Sequence, residues 1–529
     1  IPLNSKSAWA LPAAFMATLL GMPVHAGITI PDEPLTTANR VAPNILFILD
    51  DSGSMDDLNM PDSVPTTSYV DVSMTAYPRN TLSYNPSVAY QTWTLADGNR
   101  RTGGTSYTSA YSDLNLASGS ENLCSSTRTF HSPKNPTSAV PGYFGDGRNY
   151  YRFQIPAGCT QVVRSEYGAV VATSWTPVAI TPATGSVNNS SATHTLASIV
   201  AGRELQVTIT STNSRQADWS VRDPGNNSVC SGSVDDGEVD TCNIAPTVAG
   251  VYTVRMSRGT TGSSTYSLSA RSRSNNRCPT GGTGSNDWIN CTPATPTGRS
   301  VADEKTNYAT WYSYHRTRIK AAKAGASDAF KPLGNRVRVG YRSIWDRSNF
   351  DIPVGDGNDG RFVDNIDDPG TPVNEATTSR STWYNRLHAA VGSGRTPLKP
   401  ALNSAGQYFQ NTASTGPYGP QATASQYSCR QNFTILTTDG YWNDGTVSVG
   451  NADNTSGPNH TDTAGNSFGY TAAAPHRDGF SNTLADVAMH YYERDLHPSL
   501  SNGVPTTARD TAGAPLAAFT NNGELMHQH

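Results

Sequence analysis

The stretch Asn44-Ile45-Leu46-Phe47-Ile48-Leu49-Asp50 constrains the fold of this chain more than any other. A short continuous apolar run that stops at turn residues suits a strand buried on both faces, as in a parallel sheet. Parallel neighbours need crossover connections, usually helical. None is legible nearby. Residues 61 to about 190 show no helical period and are rich in Tyr, Ser, Thr, Gly and Pro. Helical periodicity first appears at 302–324, where Tyr308, Trp311, Tyr312, His315, Ile319 and Ala322 share one face and Arg316, Arg318, Lys320 and Lys323 fill the remainder. Arg336 to Ile344 alternates like a strand. Thr382 to Val391 and Pro397 to Phe409 read as helices, the second with proline in its first turn. Asn432 to Thr438 is a second apolar strand, and Asn482 to Leu496 a further helix. Alternation of strand and helix predicts an α/β sheet of the doubly wound type. Residues 61–300 are then one long insertion into its first crossover.

Within that insertion, residues 190–272 change character. Leu205, Val207 and Ile209 alternate with polar partners, as do Trp219 and Val221, then Val254 and Met256, then Tyr266, Leu268 and Ala270. Short strands at this spacing, parted by turns such as Asp223-Pro224-Gly225-Asn226-Asn227, predict a small β-sandwich. Residues 273–300 read as a Gly/Thr/Pro/Asn linker.

The chain opens like an exported protein. Lys6 precedes an apolar run from Ala8 to Pro23, and Val24-His25-Ala26 offers a small-x-small cleavage site. That order is a secretory signal over 1–26. No later stretch is long and apolar enough to span a bilayer, so a membrane span in the mature chain is not expected. Export makes disulfides the default for the seven cysteines. Sequence proximity suggests Cys124–Cys159, Cys230–Cys242 and Cys278–Cys291, with Cys429 left over. Lys+Arg 38 against Asp+Glu 42 leaves a net charge of −4. No basic excess is present to neutralise a phosphate backbone, which argues against nucleic-acid partners.

The chemistry concentrates at Asp50-Asp51-Ser52-Gly53-Ser54, at the carboxyl end of the first strand, where open α/β sheets bind ligands. One carboxylate and two hydroxyls spaced two apart on a turning loop can face one centre. Such hard, weakly charged oxygen donors suit Mg²⁺ or Mn²⁺, with Ca²⁺ the alternative. Two more donors stand where the sheet needs them. Thr396 lies in Ser393-Gly394-Arg395-Thr396-Pro397-Leu398, opening a helix, and Asp439 ends the second apolar strand in Thr437-Thr438-Asp439-Gly440. Asp-Ser-Gly also matches an aspartic protease half-site with Asp51 as its carboxylate, but no second Asp-Thr-Gly or Asp-Ser-Gly exists to share the proton. His-Glu-x-x-His, Gly-x-Ser-x-Gly and P-loop signatures are absent as well. Asp356-Gly357-Asn358-Asp359-Gly360 has the wrong spacing for a calcium loop and reads as a solvated turn.

Together the three loops resemble the metal-ion-dependent adhesion site of a von Willebrand factor type A domain. The resemblance implies direct metal contacts from Ser52, Ser54 and Thr396, and water-mediated contacts from Asp50 and Asp439, with a ligand carboxylate completing the octahedron. The helix around Asn307-Tyr308-Ala309-Thr310-Trp311-Tyr312, with Arg338-Val339-Gly340-Tyr341 and Cys429-Arg430-Gln431-Asn432-Phe433, is similar to the PilC/PilY family of type IV pilus tip adhesins. Residues 196–271 resemble a pre-peptidase C-terminal β-sandwich. These resemblances imply a signal peptide at 1–26, a type A domain formed by 27–60 and 301–529, and between them a loop-rich segment 61–189, the sandwich and the linker. They imply a non-enzymatic adhesin and pilus-assembly factor at the pilus tip on the outer-membrane surface. Its expected partners are minor pilins and a host or surface ligand bearing an acidic group. A further strand and a C-terminal β-propeller would follow in that family. The alternative is a secreted hydrolase or hydrolase accessory.

Overall fold

The computed structural model describes residues 41–65, 71–259, 261–278, 286–347, 350–364, 378–443, 445–461, 465, 467–474 and 476–504, together with two short strands at 520–521 and 524–525. The expected signal segment lies outside the described residues. Strand Asn44–Leu49 is buried throughout and forms the middle of a three-stranded parallel sheet. Arg338–Ser343 lies on one side and Asn432–Thr437 on the other. Alternate side chains of the middle strand point to opposite faces. Ile45, Phe47 and Leu49 enter one core and Leu46 and Ile48 another, which is why the run has no polar position.

Among the described residues five helices accompany these strands: α1 (Val301–Tyr314), α2 (Arg318–Phe330), α3 (Ser379–Ala389), α4 (Leu398–Phe409) and α5 (Leu484–Tyr492). Ile319 and Phe330 of α2 and Trp383, Tyr384 and Leu387 of α3 cover the first face. Leu398, Ala401, Ala405 and Phe409 of α4 cover the second, with Leu484 and Tyr491 of α5. Register is locked by polar side chains at the amino end of the sheet. Asn44 stands opposite both Arg338 and Asn432. Its amide donates to Asn432 Oδ1 at 2.8 Å and accepts from Arg338 Nη1 at 2.9 Å. A slip of one residue would leave these buried groups unpaired, at a cost of about 1–3 kcal/mol each.

The helical stripe at 302–324 is two helices, not one. Thr317 ends the first run by accepting the Lys320 N–H, which caps α2. The two helices serve different cores. Tyr308 of α1 packs with Tyr84, Phe130 and Phe153 of the insertion, joined by Trp311 and Tyr312, whereas α2 lies on the parallel sheet. Arg318, Lys320 and Lys323, which the sequence places on a polar remainder, are all buried. Residues 336–344 also differ from their alternating pattern, because all six residues of the Arg338–Ser343 strand are buried.

The insertion is more ordered than its composition suggests. Arg128–Pro133, Tyr150–Ile155, Val163–Ala169 and Asn286–Pro293 form a four-stranded antiparallel sheet. Part of the supposed linker 273–300 is therefore a strand. Two further sheets face each other over a shared core containing Val207, Ile209, Trp219, Val221, Val254, Met256 and Leu268. Their strands run from Thr176–Val178 to Ser264–Ser274, so the sandwich begins before residue 190. Cys124–Cys159 and Cys278–Cys291 are bonded, with Cα atoms 5.1 and 5.5 Å apart. The expected Cys230–Cys242 bond is not formed. The two cysteines lie on strands of opposite sheets and are free thiols, and burial pushes the Cys242 thiol pKa up. Cys429 is also free. Among the described residues no helix is long and apolar enough to cross a membrane.

Two buried histidines make stability depend on pH. His131 Nδ1 meets Thr75 Oγ1 at 2.7 Å, and His388 Nε2 meets Ser327 Oγ at 3.0 Å. Burial, reinforced by nearby cations, pushes both imidazoles down to about 3. Unfolded histidine titrates near pH ~6.5. Between these values the unfolded chain binds protons that the folded chain does not, so stability is full above the upper value and falls as the solution is acidified. Each histidine adds a slope of about 1.4 kcal/mol per pH unit. Replacing His388 with glutamine should make the fall between about pH 6 and 4 shallower by about one proton. Urea unfolding at several pH values measures this, and an unchanged slope would refute it.

Candidate metal centre

The sheet delivers the first loop directly. The Asp50 N–H donates to Thr437 O at 2.8 Å, extending the strand ladder by one bond and fixing the aspartate at the sheet's carboxyl end. The chain then turns. Ser52 N–H donates to Asp50 Oδ1 at 2.9 Å, and Gly53–Asp56 forms one 3-10 turn. That turn brings Ser52 Oγ and Ser54 Oγ to 3.1 Å. Asp50 and Ser52 are fully buried. The other Asp50 oxygen, Oδ2, accepts from Thr438 Oγ1 at 2.6 Å, which ties the first loop to the third.

The second loop is stitched onto the first by its backbone. Ser393 N–H donates to Asp51 O at 2.8 Å, and Gly53 N–H to Gly394 O at 3.1 Å. The approach needs glycine at 392, where a Cβ would sit 2.8 Å from Ser52 O and 2.2 Å from Asp56 Oδ1. Thr396 is buried just before α4. Its N–H donates to Asn443 Oδ1 at 2.8 Å, so the stretch after Asp439 also braces the second loop. Trp345 Nε1 donates to Arg395 O at 2.8 Å from the adjoining strand end. All three expected loops thus meet.

Asp439 follows Thr438 and has a buried carboxylate. Its Oδ2 accepts from Arg318 Nη1 at 2.7 Å, while its Oδ1 is buried with no hydrogen-bond partner. Asp51 belongs to a different environment. Its carboxyl lies by Ser343 and the Trp345 backbone, and burial raises its pKa. It is not paired with a second catalytic-type aspartate there.

The donor set can be tested against a divalent ion on its own geometry. Mg²⁺–O distances of about 2.1 Å put neighbouring ligands of an octahedron about 3.0 Å apart. The serine hydroxyl spacing matches that edge. The partnerless Asp439 oxygen is a buried acceptor that costs free energy until something positive or protic meets it. The Ser52–Ser54 pair and the unbonded Asp439 oxygen therefore suit a hard divalent ion such as Mg²⁺ or Mn²⁺, to which Asp50 and Thr396 on the same interlocked loops would add. With two carboxylates they fit less well the six to eight ligands usual for Ca²⁺. Among the described residues there is no cluster of three or more His, Cys, Asp or Glu side chains placed to hold a metal. Any ion here must rely on hydroxyls. Three residues of the site escaped the sequence pattern: Arg318, Thr438 and Asn443. Thr438 and Asn443 flank Asp439, but only the fold shows their bonds to the other loops.

No family model matches the chain. Among curated proteins, 255 residues, 47% of this chain, are 35% identical to the type IV pilus biogenesis factor PilY1 of Pseudomonas aeruginosa strain PAO1, covering 21% of that protein. The PilY1 of strain PAK is 34% identical over 237 residues, 44% of this chain and 19% of that protein. Over this stretch the chain is similar to these PilY1 proteins. It spans about a fifth of the length of the PilY1 proteins it matches. Solved structures that align include PliG, a periplasmic inhibitor of g-type lysozyme from Aeromonas hydrophila, and BiXyn10A CBM1. PliG is 16% identical, with a TM-score of 0.14 over 20% of this chain and 87% of that one. BiXyn10A CBM1 is 10% identical, with a TM-score of 0.13 over 19% of this chain and 90% of that one. At such scores neither bears on the fold of this chain.

Proposed function

We propose that this chain is the adhesive, metal-dependent part of an exported type IV pilus biogenesis protein, and that its parallel sheet and helices are a von Willebrand factor type A domain. The observation that carries this reading is the Ser52–Ser54 hydroxyl pair at 3.1 Å, on three interlocked loops that also hold a buried, partnerless Asp439 oxygen. The relationship to PilY1 supports the pilus context. Two disulfides support export, since such bonds persist in oxidising compartments.

Ser52, Ser54 and Thr396 would hold Mg²⁺ or Mn²⁺ directly, with Asp50 and Asp439 acting through water. The bound cation would offer an open position to an acidic group on a surface or host ligand. Asp50 orients the first loop by accepting from Ser52 N–H and the Thr438 hydroxyl. Asn443 and Gly394 keep the second loop against it. On this reading the site binds and releases a ligand and does not turn it over. Minor pilins and the pilus tip are the partners of this reading.

Deleting the gene from its host should reduce surface pili and adherence. Restoring it with both Ser52→Ala and Ser54→Ala should return pili without chelator-sensitive adherence. Normal piliation and adherence after deletion would end the reading.

A further inference from the structure

Arg318 is the first residue of α2, and its side chain is buried beside the candidate metal site. Its guanidinium is shared between two places. Nη1 lies 2.7 Å from Asp439 Oδ2. Nη2 lies 2.5 Å from Asp62 Oδ1 and 3.8 Å from Asp57 Oδ2, and Nε donates to Asn59 O at 2.7 Å. The Arg318 backbone N–H also donates to Asp57 O at 3.2 Å. Residues 57–62 are where the chain leaves the first metal loop and enters its long insertion. They are held from the insertion side as well, since Asn80 donates to Leu58 O at 2.8 Å and accepts from Met60 N–H at 3.0 Å.

We propose that Arg318 is a positioning residue that couples ion binding at Asp439 to the 57–62 segment, and through it to the insertion. This rests on the reading of Asp439 as a member of the ion site. The physical basis is competition for one carboxylate. Arg318 occupies one oxygen of Asp439, and the other is the partnerless one. A divalent ion drawing on that carboxylate repels the guanidinium. Arg318 has other anions within reach in Asp57 and Asp62, so its attraction shifts toward the segment and holds it more firmly. By linkage, the reverse holds: whatever draws Arg318 off Asp439 tightens ion binding by the same factor.

The coupling predicts opposite effects from two substitutions. Mn²⁺ titrated calorimetrically into the full chain should bind Arg318→Gln about 5–10-fold more tightly than wild type, within the usual range of coupling between sites. Asp62→Asn leaves Arg318 more fully on Asp439 and should weaken binding by about threefold or more. Loss of folding cannot mimic a gain in affinity, and Asp62→Asn serves if Arg318→Gln does not fold. Hydrogen exchange adds a second readout: Mn²⁺ should slow exchange at 57–62 in wild type and not in Arg318→Gln. If wild type binds Mn²⁺ but neither substitution shifts its affinity in the stated direction, or exchange at 57–62 ignores the ion, the coupling is wrong and the ion site stands. Absence of Mn²⁺ binding in wild type would remove both.

Discussion

Trp383→Ala should lower the unfolding free energy by about 3–5 kcal/mol, the range for emptying a large aromatic site in a core. Trp383 is wholly buried on the face of the parallel sheet that α2 and α3 cover. Its ring stacks on Phe330 with centroids 4.3 Å apart, and meets Phe47 and Phe362 edge-on at 5.5 and 5.9 Å. Alanine leaves a void that three rings from three separate segments cannot close together. The indole N–H has no partner among the described residues, so Trp383→Phe removes volume without breaking a hydrogen bond and should cost much less. Denaturant unfolding of both variants checks this. Equal losses would mean that packing at this site does not hold the sheet to its helices.

Asp50→Ala should reduce divalent-ion affinity at least about 100-fold, equivalent to about 2.7 kcal/mol. It should also destabilise the fold by about 2–4 kcal/mol, because it strands two donors. The carboxylate now accepts from Ser52 N–H and the Thr438 hydroxyl in a buried setting. Asp50→Asn separates the two effects. The amide keeps an acceptor for Ser52 N–H and a polar group for Thr438, so the loops should hold. It lacks the negative charge, so ion affinity should still fall. A variant that lost stability but kept the ion would show that Asp50 only braces the loops.

The parts of the fold that were legible in the sequence are those in which local pattern and burial agree. Asn44–Leu49 is apolar at every central position because both of its faces are covered. The helices at 379–389 and 398–409 follow their periodicity within a few residues. What was not legible depends on distant chain. Arg318, Lys320 and Lys323 look like a solvated helix face, yet other segments cover them. Lys320 donates to Tyr111 O at 3.1 Å and Lys323 to Leu114 O at 2.9 Å, both in the insertion. The strands at 128–169 carry too many tyrosines and polar residues to show a clear period, and pair with one another and with 286–293. Cys230 and Cys242 are near in sequence, but the turn between them carries the chain from one sheet to the other.

For the site, motif spacing placed all five expected donors on three loops, and these loops meet. The spacing could not reveal that Asp439 is divided between Arg318 and an unfilled oxygen, because Arg318 arrives from a helix more than a hundred residues upstream. Nor could it reveal that Asn443 and Thr438 tie the loops together.

If Ser52, Ser54, Thr396, Asp50 and Asp439 hold a divalent ion, its binding is directly measurable. Calorimetric titration of Mn²⁺ into the intact wild-type chain and into Asp50→Asn tests it most directly. One ion per wild-type chain is expected, with affinity at least about 100-fold lower in the variant at equal stability. No binding to wild type, or the same isotherm for both proteins, would contradict it.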